Sequence, residues 1–365
     1  MKLFSVAMAA ALGILCHAIP AKAQEIVLGA VLPLTGPAAQ IGLEEQQGVQ
    51  FATDRINADG GIRGRKVKFI FEDSQGKPDQ GVLAFNRLVD LHNTPSILTA
   101  YSSISLALAP LATRKKILVV NPAAQTNKLD DASPFLVNTI PLVRDEVEVM
   151  TKYAVAKLGK KAAILYENAA AGVDVRDDFK KAFEATGGTI VADEAIEFGS
   201  TNFRASLLKI AAAKPDFVFV GMTVGYPALA DQVAQIPGFP IGVGTTFLRP
   251  IVGHPAAVGW FHSGIKSGMK PEDEAAFHKQ FNVKEMTFFS REYANSAQII
   301  FKLIDDLIAK NKPLTGENLK AALFEIKTFE SPTAKIVFNS NTAKREVEIF
   351  RATATGRELV QASVN

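Results

Sequence analysis

Residues 57–76 read NADGGIRGRKVKFIFEDSQG, and the direction in which this stretch runs decides the fold. Gly60, Gly61 and Gly64 crowd together, as glycines do in loops that cradle phosphates. Such a loop runs strand, glycines, helix, so that the helix N-terminus faces the anion. Here the order is reversed. Upstream, Gln47, Phe51 and Ile56 fall on one face of a helix expected over 41–58. Downstream, Val67-Lys68-Phe69-Ile70-Phe71 reads as a strand. Glycine enters the left-handed conformation that ends helices without a Cβ penalty. The cluster therefore stops a helix and turns the chain into a strand.

Outward from that point, strand-like and helix-like segments alternate. Strands are expected at 26–32, 66–72, 96–99 and 117–120, with helices over 78–91 and 105–114 between them. The rhythm pauses at Asn138-Thr139-Ile140-Pro141 and restarts. Helices over 143–158, 173–186, 203–213 and 226–235 then alternate with strands at 162–166, 189–198, 217–220 and near Ile241. Repeated βα units imply an α/β fold with parallel sheets covered by helices, here in two Rossmann-like lobes. After about Gly268 the pattern changes to helices over 290–310 and 315–324, with Thr315 as N-cap, and short strands at 335–338 and 347–352.

The 365 residues are 48% hydrophobic and 21% charged, enough for two domains with proper cores. The first 23 have a different character. A positive start at Lys2, an apolar run over 3–19 and Ala21-Lys22-Ala23 form the pattern of a cleaved secretory signal peptide. Its removal takes lysine plus arginine from 40 to 38 against 37 acidic residues. A nearly neutral chain argues against nucleic acid as a partner. The only cysteine, Cys16, lies in the signal segment and lacks the small residue that precedes a lipidated cysteine. No disulfide and no lipid anchor are expected, and the compartment that fits is a periplasm.

Catalytic motifs are missing from the sequence. It contains no G-x-S-x-G elbow, H-E-x-x-H, phosphate loop or EF-hand loop. His92, His254, His262 and His278 have no metal-ligand spacing to one another. The expectation is a binding protein without metal or cofactor, not an enzyme.

Two strings carry a closer identification. One is Gly29-Ala-Val-Leu-Pro-Leu-Thr-Gly-Pro-Ala-Ala-Gln-Ile-Gly42; the other is Ile56-Asn-Ala-Asp-Gly-Gly-Ile-Arg-Gly-Arg65. With Asp73-Ser74, Tyr101-Ser102-Ser103 and Asn121-Pro122-Ala123-Ala124, they resemble the leucine/isoleucine/valine-binding proteins, type I periplasmic binding proteins of ABC transporters. The similarity runs along the chain after residue 23 and thins after Gly264. It implies lobes joined by three crossings, the N-terminal one from 24–141 and 267–343, the C-terminal one from 142–266 and 344–365. It also implies closure on a ligand between them and delivery to a membrane permease, with the protein itself a monomer.

The resemblance places the site at the carboxyl ends of the strands, where open parallel sheets bind ligands. Ser102 and Ser103 begin a helix, and their hydroxyls with its free amides can hold a carboxylate. Ala123 and Ala124, with a backbone amide at Ala123, and Gln125, follow the fourth strand. The departures from the family are informative. Where the amino-acid binders carry a glutamate for the ligand's ammonium, this chain reads Gly242-Val-Gly-Thr245-Thr246-Phe247. Their pocket tyrosines fall at Ile41, at Ala171 and near Thr223 here. Burying an ammonium without a counter-ion is severely unfavourable. The expected ligand is therefore an apolar, aromatic carboxylate lacking an amine, walled by Tyr101, Tyr226 and Phe247, with Thr245 in place of the lost acid. Arg249 is a candidate second anion partner. Asp174 or Glu292 is the acid expected to fill the gap if an amino acid binds after all. The alternatives are a branched-chain or other hydrophobic amino acid, a sensory protein of the same fold and, in another class, a secreted hydrolase.

Overall fold

The computed structural model describes residues 24–331 and 335–362; the expected signal peptide lies outside the described residues. Five strands form the first sheet: β1 (Ile26–Leu32), β2 (Val67–Asp73), β3 (Ser96–Thr99), β4 (Leu118–Asn121) and β5 (Leu136–Asn138). They are parallel throughout, in the order β2-β1-β3-β4-β5. Helices α1 (Ala39–Ala58), α2 (Pro78–His92) and α3 (Ser102–Lys115) connect the first four. The glycine cluster acts as punctuation. Gly60 and Gly61 follow the end of α1 with φ of +100° and +83°, and a Cβ on Gly61 would lie 2.2 Å from the Arg65 carbonyl oxygen.

The second sheet repeats the theme. Helices α4 (Val143–Lys157), α5 (Ala170–Ala185), α6 (Arg204–Ala213) and α7 (Tyr226–Val233) cover the parallel strands β6 (Lys161–Glu167), β7 (Thr189–Ile196), β8 (Phe217–Gly221), β9 (Ile241–Gly244) and β10 (Phe261–Ile265). The chain then returns to the first lobe as α8 (Pro271–Phe281), α9 (Phe288–Ala309) and α10 (Gly316–Ile326). Residues of α9 and α10, Ile300, Phe301 and Leu323 among them, share one apolar core with Leu28, Phe51 and Phe69. A small antiparallel sheet of β11 (Thr328–Glu330), β12 (Lys335–Phe338) and β13 (Ala343–Lys344) follows. Finally β14 (Val347–Thr353) and β15 (Gly356–Gln361) add an antiparallel edge to the second sheet, whose order is β15-β14-β10-β9-β8-β6-β7. The expected α/β fold with parallel sheets in two lobes is present, and the late strands add antiparallel pairing that the βα rhythm does not announce. An antiparallel edge strand on a parallel sheet is common because a short return needs no crossover helix.

Several elements escape a reading by periodicity. β10, Phe-His-Ser-Gly-Ile, is buried along its whole length and so shows no alternation. β5 has three residues, and α8 buries only Phe277.

The chain passes between the sheets after β5, after β10 and after β13. One side chain touches all three passages. Arg345 donates to the carbonyl oxygens of Thr139 (3.1 Å) and Lys266 (2.8 Å) and pairs with Glu292 of α9 at 3.0 Å. Both partners of that ion pair are fully buried.

Candidate functional site

Between the lobes, at the carboxyl ends of both parallel sheets, lies a cavity of about 290 Å³. From the first lobe come Ile41, Tyr101, Ser102, Ser103, Ala123 and Ala124; from the second come Ala171, Thr223 and Phe247. All of these were expected at the site. Gln125, Tyr226 and Thr245 were expected there too, and the structure places them elsewhere. Gln125 is buried and donates to Glu146 and to the Pro141 carbonyl oxygen. Tyr226 turns into the second lobe's core, where its hydroxyl donates to the Met222 carbonyl. Thr245 precedes a short 3-10 helix, Thr246–Ile251, and its carbonyl accepts from Leu248. Arg249 also stands off the cavity, within 3.5 Å of Glu285.

Two helices aim their N-termini at the cavity. At α3, the turn is made by Tyr101 with φ of +61°, and no side chain caps the first amides. Ser102 Oγ accepts from the Thr126 amide at 3.2 Å, which leaves its own hydrogen free. The Ala123 amide, by contrast, already points at Asn121 Oδ1, 3.3 Å away. At α5, Ala169, Ala170 and Ala171 line the cavity, again without a side-chain cap. Gly172 permits this approach: a Cβ there would lie 2.1 Å from the Glu167 carbonyl oxygen. Uncapped amides and the positive ends of two helix dipoles favour an anion between them.

The walls are aromatic, and each pair takes one ring from each lobe. Tyr101 meets Phe198 edge to face at 5.7 Å; Phe247 stacks on Phe289 at 6.1 Å. Phe198 and Phe289 were not expected at the site. The sequence pattern puts Phe198 at a strand end and Phe289 just before a helix. An aromatic residue at the carboxyl end of a parallel strand is a usable signal for the first; only tertiary packing places the second.

The lobes touch around the cavity. Asp174 of α5 accepts from the Asn127 amide at 2.8 Å and from the Thr126 hydroxyl, and Asp178 accepts from Asn127 Nδ2 at 2.6 Å. Asp174 is thus a tie across the cleft and does not line the cavity; Glu292 is held by Arg345 behind it. The expected absence of acid from the cavity is nevertheless overturned. Glu45 of α1 and Glu167 at the end of β6 both line it. Burial raises the Glu167 carboxyl even though it accepts from the Thr223 amide at 3.0 Å and from the Thr223 hydroxyl. Burial lifts the Glu45 carboxyl well above the ordinary range, against the Tyr293 hydroxyl beside it. Both carboxyls therefore lean towards their neutral forms.

The sequence profile of the periplasmic binding protein family matches residues 25–357. The chain belongs to that family. A Leu/Ile/Val-binding protein of Rhizobium johnstonii, BraC3, is 33% identical over 201 residues, 54% of each chain, so this protein spans about half the length of that relative. The fold matches a solute-binding protein of an ABC transporter from Rhodopseudomonas palustris BisB5, solved with 3,4-dihydroxybenzoic acid, with a TM-score of 0.81 and 22% identity, covering 93% of this chain and 98% of that one. It matches LivJ of Streptococcus pneumoniae, solved with isoleucine, equally well: TM-score 0.81, 20% identity, coverage 92% and 99%. No helix among the described residues is long and apolar enough to cross a membrane.

Proposed function

We propose that this protein captures an organic acid with an aromatic body between its lobes and delivers it to the permease of an ABC importer in the periplasm. One observation carries the reading. The uncapped N-terminus of α3, with the Ser102 and Ser103 hydroxyls, opens onto a space walled by two aromatic pairs that span the cleft. The amides and hydroxyls suit a carboxylate; the rings suit a flat apolar body. The R. palustris protein solved with 3,4-dihydroxybenzoic acid supports the same class. Closure turns on the three passages near Pro141, at 267–270 and at 342–346.

A second reading has a specific observation behind it. Glu45 and Glu167 put carboxyls in the cavity wall, where either, once ionised, can face an ammonium. That reading makes the ligand a hydrophobic amino acid, as in the LivJ complex. A thermal-shift screen separates the two. Benzoate-like acids should raise the melting temperature, and leucine, isoleucine, valine and phenylalanine should not; the reverse pattern overturns the first reading. Small-angle scattering should then show a smaller radius with the stabilising ligand than without it.

A further inference from the structure

We propose that Glu45 and the Tyr101 hydroxyl form a polar subsite for a neutral hydroxyl carried on the ligand's apolar body, which narrows the ligand to hydroxy-substituted carboxylates. The inference rests on the acid-binding reading above and deepens it. Glu45 Oε2 and the Tyr101 hydroxyl are both buried without a hydrogen-bond partner, and both residues line the cavity. Glu45 is 1% exposed. Buried polar atoms in native proteins are almost always paired, so two orphans facing one cavity mark where a ligand supplies the partner.

The chemistry of the neighbouring groups fixes what that partner is. Tyr293 has one hydroxyl hydrogen and gives it to the Thr99 carbonyl oxygen at 2.7 Å. Its oxygen can then only accept, and the Glu45 carboxyl lies against it. The contact closes when Glu45 carries a proton and donates it to Tyr293. Burial, with the nearby Glu44 charge, raises Glu45, and burial keeps the Tyr101 hydroxyl protonated. A protonated Glu45 keeps Oε2 as an acceptor, and Tyr101 adds a hydroxyl that gives or takes. A ligand O–H satisfies both. An unsubstituted benzoate leaves them as they are, at the cost of two desolvated polar atoms.

The test is calorimetric titration of benzoate, 3-hydroxybenzoate, 4-hydroxybenzoate and phenylalanine. At least one hydroxybenzoate should bind about tenfold more tightly than benzoate, the effect of one well-made hydrogen bond. Glu45→Leu and Tyr101→Phe should each pull that ratio towards one, and Glu45→Gln, which keeps an acceptor oxygen and a donor for Tyr293, should restore it. Benzoate binding as tightly as both hydroxybenzoates overturns this subsite and leaves the acid-binding reading intact. A ratio that survives both Glu45→Leu and Tyr101→Phe likewise overturns it. Phenylalanine binding where no benzoate does overturns the acid-binding reading itself, and Glu45→Gln should then abolish that binding by removing the counter-charge.

Discussion

The buried glutamates behind the cleft and those inside it are treated differently by the fold. Behind it, Glu292 is matched by Arg345, and Glu146 accepts from the Thr246 amide at 2.8 Å, from Gln125 and from the Ser263 hydroxyl. Inside it, Glu167 accepts from the amide and hydroxyl of Thr223 and from the Val224 amide, with no cation beside it among the described residues, and Glu45 keeps an oxygen with no partner. Both regions are buried polar clusters where the lobes come together. In the first, both oxygens of each carboxylate are paired within the fold, although Gln125 Oε1 and Arg345 Nε are not; in the second, the unpaired Glu45 oxygen and Tyr101 hydroxyl belong to residues that line a cavity. The difference separates polar groups that hold the fold from polar groups that await a ligand.

That contrast predicts a graded series of effects. The largest belongs behind the cleft. Arg345→Met leaves Glu292 as an unpaired buried charge and should cost about 3–5 kcal/mol of stability by urea denaturation. A loss below about 1 kcal/mol would show that Glu292 does not depend on Arg345 for its counter-charge. In the cavity, Ser102→Ala should barely alter stability and should weaken binding of the stabilising acid about ten- to hundredfold by calorimetry, the loss of a hydrogen bond to a charged group. Asp174→Ala, which cuts the tie across the cleft, should weaken the same ligand by several-fold, about 1 kcal/mol, through an easier opening.

Glu45→Gln should give a smaller effect with a distinctive pH dependence. Because burial raises the Glu45 carboxyl, the folded state holds its proton more tightly than the unfolded chain. Its contribution is fully present below the unfolded carboxyl range and is lost as pH rises towards the folded value. Glutamine stays neutral throughout, so the variant should gain on the parent as pH rises above the ordinary carboxyl range and match it below that range, read as melting temperature. A gap that widens on acidification would contradict a protonated Glu45. The smallest effect is at the surface. Lys152→Ala breaks an exposed pair with Glu148 and should change stability by less than about 0.5 kcal/mol.

The strand-helix rhythm made the fold legible in the sequence, because parallel strands and their covering helices each carry a local pattern. Cavity-lining residues that come shortly after strands, such as Ser102 and Ala123, were legible for the same reason. Glu45 was not. In the run Glu44-Glu45-Gln46-Gln47 it looks like one more solvated residue on a helix, and only the packing of α1 against α9, with Tyr293, takes it out of water. Gln125, Tyr226 and Thr245 misled in the opposite sense. They follow strands as site residues do, yet each finds a backbone or side-chain partner inside its own neighbourhood and turns from the cavity. Sequence position gives the end of a strand; it does not give the direction of the side chain.

Arg345 has a consequence for the order in which the molecule can be built. Thr139, Lys266 and Glu292, the residues it joins, all precede it in the chain. A growing polypeptide thus makes both sets of βα units and α9 before the guanidinium that holds them together exists. Until it arrives, sinking Glu292 into the interior strands a carboxylate without a partner, which penalises early locking of the two halves. Strands β14 and β15 are made later still and finish the edge of the second sheet. The final stretch of the chain therefore sets the moment at which the whole assembly can settle, and a polypeptide stopped just short of residue 345 should remain loose however complete its earlier parts are.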